Sequence, residues 1–290
     1  KKIWDRKLLY LAHRVVPFCT RCGTPLSSHE VAQGYKKVKE KSVYVKFKLK
    51  NEPNTFILAW TTTPWTLPGN VALAVRKNID YVKIQVFDVS PKKQDFKGTI
   101  LEGTEPTTVR LLKNYFILSK ERLPTVEGEY KILEELKGKD LIGLEYEPLF
   151  EVEKLKSDKS YKVYDADFVS TAEGTGVVHT AVMYGEDDYN LGTKVGLPKF
   201  HTVDEQGKFM NVGSGLDGMY VKDKETEAKI IDILENNGNL LKTEDYEHDY
   251  PFCWRCDTPL LYYAKDSWFI KMSAVNKELL KNNQKVNWVP

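Results

Sequence analysis

The decapeptide PFCTRCGTPL at residues 17–26 returns as PFCWRCDTPL at residues 251–260, with eight of ten positions unchanged. The chain's four cysteines, Cys19, Cys22, Cys253 and Cys256, all lie in these two copies, each as a CxxC pair. A lone CxxC fits a redox dithiol or chance. Two copies with no cysteine left over point to a closed four-thiolate site of the kind that holds structural Zn²⁺. Two disulfides or free buried thiols are the alternatives. Gly23 suits the positive φ of a tight turn around a metal, and Asp257, at the matching place, tolerates it less well. The copies read as two halves of one small ribbon, with everything between them inserted at neighbouring points. Closing so long a loop costs little more entropy than closing a moderate one.

The size and charge of the chain restrict its class only loosely. Its 290 residues allow one large domain or two modest ones. Composition is that of an ordinary soluble protein, and no apolar run approaches a membrane span of about 20 residues. No signal peptide is visible at the start, and the first residue is not Met, so a fragment of a longer protein is expected. A net charge of +2 neither demands nor excludes a nucleic-acid partner. The lysine-rich stretches at 36–41 and 154–162 read as solvated faces.

Between the copies, strands predominate. SVYVKFKL (42–49) alternates, with Val43, Val45, Phe47 and Leu49 on one face. TFILAW (55–60) is a continuous apolar run suited to a more buried strand. NVALAV (70–75), YVKIQVF (81–87), YKVYDADFVS (161–170) and GTGVVHTAV (174–182) supply further strands. EYKILEELKG (129–138) reads as a short helix. KETEAKIIDILENNG (224–238) reads as an amphipathic helix with Gly238 as its C-cap. The expected fold is mixed and mainly β: a β-barrel-like domain with peripheral helices, inserted into a small zinc ribbon. Domain limits are expected at 1–40, 41–245 and 246–290, the outer two being the halves of the ribbon.

Two stretches carry possible chemistry. In WTTTPWTLPGN (60–70), prolines end strand pairing and stiffen a loop that displays threonine hydroxyls. A threonine-rich strand end is the plain alternative. In GTGVVHTAVMYGEDDY (174–189), a glycine-rich turn leads to a strand with His179 and then to an acidic cluster. Those acids also suit a helix N-terminus, and His179 also suits a satisfied core position. No GxGxxG, GK[ST], HExxH or GxSxG pattern is present.

Taken in order, WTTTPWTLPGN, GTGVVHTAVMYGEDDY, GLDGMYVKD, YPFCWRCDTPLLYYAKDSWFI and NWVP resemble the connective-polypeptide insertion of isoleucyl-tRNA synthetases, over essentially the whole chain. TTTPWT is the most diagnostic piece: valyl and leucyl relatives carry Arg at the place of Thr63 and an acid at that of Trp65. The resemblance implies an editing domain that hydrolyses valine mischarged onto the isoleucine tRNA, without a nucleophilic side chain and by direct attack of water. It implies Thr61, Thr62, Thr63, Asn70, His179 and Asp188 as catalytic residues. His179 would bound the side-chain pocket, and Asp188 would hold the α-ammonium. Trp65, Thr66, Gly174, Thr175 and Gly176 would bind substrate. Implied partners are the 3′ end of the isoleucine tRNA and the remainder of the synthetase, in a cytoplasmic monomer. KMSA (271–274) lacks the closing Lys-Ser of the KMSKS signature and no HIGH motif occurs, so ligation is not expected. A zinc-ribbon tRNA-binding module without hydrolysis, or an editing domain of a valyl or leucyl enzyme, are the alternatives.

Overall fold

A computed structural model describes residues 1–87 and 114–289. The strands are β1 (Leu9–Cys19), β2 (Thr24–Pro25), β3 (Tyr35–Lys48), β4 (Thr55–Thr61), β5 (Ala72–Val75), β6 (Asp80–Val86), β7 (Asn114–Ser119), β8 (Tyr130–Lys137), β9 (Lys162–Asp165), β10 (Val178–Thr180), β11 (Leu240–Pro251) and β12 (Leu261–Ile270). Helices are few: α1 (Lys2–Asp5), α2 (Ser28–Ala32), α3 (Gly138–Leu141), α4 (Glu186–Val195), α5 (Lys224–Asn236) and α6 (Asn276–Asn283). The mainly β expectation holds. Among the described residues, however, the strands form three open sheets, not a closed barrel: β12-β1-β2, β10-β5-β9 and β11-β3-β4-β7-β6-β8.

Val43, Val45 and Phe47 of β3, and Leu49 just after it, are fully buried as the alternation at 42–49 predicts, but Ser42 and Tyr44 on the other face are buried too, so only Lys46 and Lys48 keep part of their surface. β4 has core on both faces, which explains its unbroken apolar run. Ile57 and Ala59 join the main core with Val71 and with Leu73, Val75 and Val163 of the β10-β5-β9 sheet. Leu58 points into a second cluster with Val82, Ile84, Phe116 and Leu118. Strand order places β10 against β5, with His179 opposite Leu73, and so brings the 174–189 stretch beside the threonine segment that joins β4 to β5.

The stretch at 129–138 is not helical. It forms β8, the edge of the large sheet, paired antiparallel with β6 from Val86↔Tyr130 to Asp80↔Lys137. Leu, Glu and Lys favour a helix in isolation, but eight residues are too few to hold one alone, whereas β6 offers an open row of backbone groups. Ion pairs from Glu135 to Lys120 and from Lys137 to Asp80 decorate the exposed edge. The helix at 224–238 is present as α5. Its C-cap is Asn237, and Gly238, at φ +70°, takes the left-handed turn that follows.

β3 and β11 form the longest ladder, from Val45↔Leu240 to Tyr35↔Pro251. Both limits expected for the middle domain, 40/41 and 245/246, fall inside this two-stranded ribbon. Residues 88–113 of that expected domain, and Pro290 of the last, lie outside the described residues. The far end of the ribbon carries the cysteines. There Phe252 N–H donates to Gly34 O at 2.9 Å, and a Cβ on Gly34 would stand 2.0 Å from Phe252 O. Only glycine permits that crossing.

Candidate active site and metal centre

The two copies of the decapeptide meet. Their backbones repeat each other: Gly23 N–H donates to Cys19 O, and Asp257 N–H to Cys253 O, both at 2.8 Å. Gly23 and Asp257 have φ of +64° and +62°. The turn therefore demands the left-handed conformation in both copies, and the second copy tolerates it in a non-glycine residue. The four Sγ atoms lie within 4.8 Å of one another. Individual separations are 3.4 Å for Cys19–Cys256, 3.5 Å for Cys22–Cys256 and 4.0 Å for Cys22–Cys253. These are far beyond a disulfide bond of about 2.05 Å. They bracket the edge of about 3.8 Å that a tetrahedron with metal–sulfur bonds of about 2.3 Å requires. Cys22 N–H points at Cys19 Sγ at 3.3 Å, a donor that favours the thiolate. Leu26, Val31 and Leu260 pack around the cluster. The donor set and its spacing fit a four-thiolate metal ion.

The second site is built on the loop after β4. Pro64–Gly69 forms a short 3₁₀ turn that is buried throughout. The hydroxyls are consequently less displayed than the sequence suggests: Thr61 and Thr66 are buried, Thr62 and Thr63 half-buried. They form a chain. Thr61 Oγ1 lies 3.2 Å from Thr63 Oγ1 and accepts the Thr63 N–H at 3.1 Å. Thr66 Oγ1 donates to Thr63 O at 2.8 Å and lies 2.9 Å from His179 Nε2. The threonine proton is thus committed to the carbonyl, so His179 must donate from Nε2 and keep Nδ1 bare. Nδ1 is buried without a hydrogen-bond partner. Burial pushes the imidazole down to about 4, so the ring is neutral near pH 7.

Asp188 sits in the first turn of α4, as the acidic cluster suggested. Its Oδ2 accepts the Ala181 N–H at 3.0 Å, tying the helix to the end of β10 two residues past His179. The residue keeps some surface, but its carboxyl group is desolvated. Burial pushes it up to about 7, with Asp187 adding to the rise and the Ala181 amide opposing it.

The remaining candidates are spent on scaffold. Asn70 Nδ2 donates to Ala72 O at 2.9 Å, and its Oδ1 accepts from Tyr146 Oη at 2.7 Å, all buried. Thr175 Oγ1 donates to Leu58 O at 2.7 Å. Gly174 and Gly176 both have positive φ. Added Cβ atoms would meet the Trp60 ring at 2.9 Å and Ser119 Cβ at 2.4 Å. These three residues line a different hollow, beside Trp60 and Glu173, from the one at the threonines.

A cavity of about 320 Å³ opens over Thr62, Thr63, Trp65 and Thr66. Trp65 is buried with its ring edge-on to Tyr184, at 5.2 Å between centroids. Tyr184 Oη is fixed by the N–H groups of Thr202 and Val203 at 2.6 and 2.8 Å. The rest of the lining includes Tyr35 of β3, His248 and Tyr250 of β11, and Tyr262 of β12. None of these aromatic residues was singled out by the sequence. They are remote from the threonines in the chain, and only strand register brings them close.

The family model for class I tRNA synthetases (I, L, M and V) matches residues 1–290. An isoleucine–tRNA ligase of Clostridium novyi is 49% identical over 291 residues, covering 100% of this chain and 25% of the relative. One from Clostridium acetobutylicum is 47% identical, with the same coverage. The chain thus spans about a quarter of the length of these curated relatives. The editing domain of the cytosolic leucyl-tRNA synthetase of P. falciparum shares the fold, with a TM-score of 0.50 at 11% identity, covering 70% of this chain and 99% of that one.

Proposed function

The chain belongs to the class I tRNA synthetases (I, L, M and V), and we propose that it is the editing part of an isoleucine-specific member, hydrolysing the ester of valine misattached to the isoleucine tRNA. One observation carries this reading. A chain of hydroxyls, Thr61–Thr63–Thr66, ends on a neutral, buried His179, and Thr62, Thr63 and Thr66 line a cavity wide enough for an aminoacyl group.

The need for such a site is physical. Isoleucine and valine differ by one methylene, worth about 1–3 kcal/mol in a hydrophobic pocket; isoleucyl-tRNA synthetases are the standard example of that limit. A second pocket that admits only the smaller side chain makes up the shortfall. In this reading His179 is the wall that meets the extra methyl. Its ring is held by Thr66, so it resists displacement. Asp188 holds the α-ammonium through Oδ1, with Oδ2 remaining on the Ala181 amide. The hydroxyls of Thr62 and Thr63 orient the ester and the attacking water. No side chain here is an activated nucleophile, so water attacks the carbonyl directly, and the tRNA terminal ribose departs with the proton. Asn70 and Thr175 act by fixing the backbone that carries the threonines and His179. Gly174 and Gly176 do so by letting that backbone pack against β4 and β7.

We assign Zn²⁺ to the four cysteines. It would be structural, with all four positions filled by thiolate, and would clamp the two crossings where the inserted part leaves and rejoins the ribbon. The ribbon of β3 and β11 is the arm between the metal knuckle and the editing part, so the three-part division at 40/41 and 245/246 describes segments of one continuous ladder. The remainder of the synthetase and the isoleucine tRNA are the partners of this reading, and the cytoplasm its place. No helix of the described residues is long and apolar enough to cross a membrane.

The test is a deacylation assay with Val-tRNA and Ile-tRNA of the isoleucine acceptor. Release of valine with isoleucine spared supports the reading. RNA binding with both esters left intact identifies a binding module instead.

A further inference from the structure

The segment between His179 and Asp188 is pinned to itself: Tyr184 N–H donates to Ala181 O at 2.9 Å, and Asp188 Oδ2 accepts the Ala181 N–H at 3.0 Å. Tyr184 projects from the middle of this segment and is buried. Its phenol oxygen is saturated. It accepts the N–H groups of Thr202 and Val203 at 2.6 and 2.8 Å, which leaves Thr202 Oγ1, at 3.1 Å, to take its proton. That end of the ring cannot move without stranding two buried amides. The ring itself fills the space beside the Pro64–Gly69 turn. Trp65, the second residue of that turn, meets it edge-on at 5.2 Å between centroids. At Gly69, the last residue, an added Cβ would stand 3.2 Å from the Tyr184 ring and 3.3 Å from Thr202 Oγ1. Trp65 and Tyr184 both line the cavity over Thr62 and Thr63. One side chain thus packs near both ends of the buried turn, while its own backbone leads on to Asp188.

We propose that Tyr184 is a positioning residue for selectivity: its anchored ring sets the distance between the Trp65 wall of the cavity and the segment that carries His179 and Asp188. These walls come from stretches of chain more than a hundred residues apart, and in the editing reading both bound one substrate. A pocket that separates side chains by one methylene discriminates only while its walls hold still, and the whole of that discrimination is worth about 10–200-fold. Thr66 already ties the threonine segment to His179. Tyr184 supplies a second tie between the same two stretches, and it acts through Trp65 rather than on the ester. This inference rests on the editing reading for the reaction it serves.

The experiment follows deacylation of Val-tRNA and Ile-tRNA by the 290-residue protein. Tyr184→Phe keeps the ring and removes its anchor. We expect the Val-to-Ile ratio of kcat/KM to fall about tenfold. Thr202→Val removes only the acceptor of the phenol proton and leaves both amide bonds, so it should lower the ratio less, in the same direction. Val82→Ala opens a cavity in the separate cluster of Leu58, Ile84 and Leu118 and is the control for lost stability alone. Its ratio should stay at the wild-type value. A second readout involves no ester. In protein labelled with 5-fluorotryptophan, the Trp65 fluorine resonance, assigned by its absence from Trp65→Phe, should shift in Tyr184→Phe and hold in Val82→Ala. A wild-type ratio in folded Tyr184→Phe, an unmoved Trp65 resonance, or an equal fall in Val82→Ala overturns the proposal. If Tyr184→Phe does not fold, Thr202→Val decides, and a wild-type ratio there is the refuting result. Unaltered protein that spares both esters refutes the editing reading and this inference with it, whereas a selective unaltered protein with an unchanged ratio in Tyr184→Phe refutes this inference alone.

Discussion

His179 Nε2 stands 2.9 Å from Thr66 Oγ1, across 113 residues of sequence, and that contact fixes both the tautomer and the position of the ring. The hydroxyl has one proton and gives it to Thr63 O at 2.8 Å. The imidazole therefore donates, and its bare Nδ1 is the buried atom without a partner.

Replacing His179 with Ala should open the wall by more than one methylene. Valine should still be released, more slowly, and the isoleucine ester should become a substrate. The ratio of the two hydrolysis rates, measured at equal protein, is the readout. If isoleucine is still spared, the wall lies elsewhere, with Trp65 and the threonine face the next residues to test. Thr66→Val is the companion change. It keeps the shape and leaves the ring N–H without an acceptor, at a cost of about 1–3 kcal/mol of stability. Its selectivity should loosen in the same direction, because the ring is no longer held.

Asp188 gives the reaction a pH dependence. Burial raises its carboxyl to about 7, and pairing with an ammonium requires the ionised form. Hydrolysis of Val-tRNA should therefore rise as pH passes upward through about 7, and Asp188→Asn should remove that rise while lowering the rate. Stability should run the other way. A carboxyl raised above its unfolded value of about 3.9 favours the folded state in its protonated form. That contribution is complete below about pH 4 and lost as pH climbs through 7. The Asn variant should flatten this part of the stability profile in urea titrations. A rate flat from pH 6 to 8 in the unaltered protein would remove Asp188 from the ammonium site.

Metal analysis should find about one zinc per chain. Cys253→Ser should lose it, as should treatment with a strong chelator. The knuckle and the outer part of the β3–β11 ribbon should then exchange amide hydrogens faster, while β4, β5 and β6, which have their own apolar clusters, remain protected. Full zinc occupancy in the Ser variant would sink the four-thiolate assignment.

Two glycines test the packing of the 174–176 turn. Gly176→Ala combines a left-handed φ with a Cβ placed 2.4 Å from Ser119 Cβ. It should cost about 3 kcal/mol or more. Gly128 also has positive φ but faces open space, and Gly128→Ala should cost about 1 kcal/mol. Urea midpoints measure both. Similar costs for the two would mean that the contact with β7 relaxes freely.

The sequence by itself determined that the four cysteines meet, because its information is local and repeated: two turns, each needing the same backbone conformation and carrying the same two thiols. It also marked β3 and α5 by their periodicity, β4 by its unbroken apolar run, and the helix start at Glu186–Asp188 by its charge. It misread residues 130–137, where helix-favouring side chains are overruled by the free edge of β6, a partner some fifty residues away. It also overstated the exposure of the threonines, since the burial of Thr61 and Thr66 depends on sheets that pack over them. Above all, tertiary structure alone decided which residues line the cavity with Thr62. Tyr35, His248, Tyr250 and Tyr262 leave no mark in composition or spacing. Their meeting is set by the register of β3, β11 and β12, and register is a relation between distant strands that no local stretch of chain encodes.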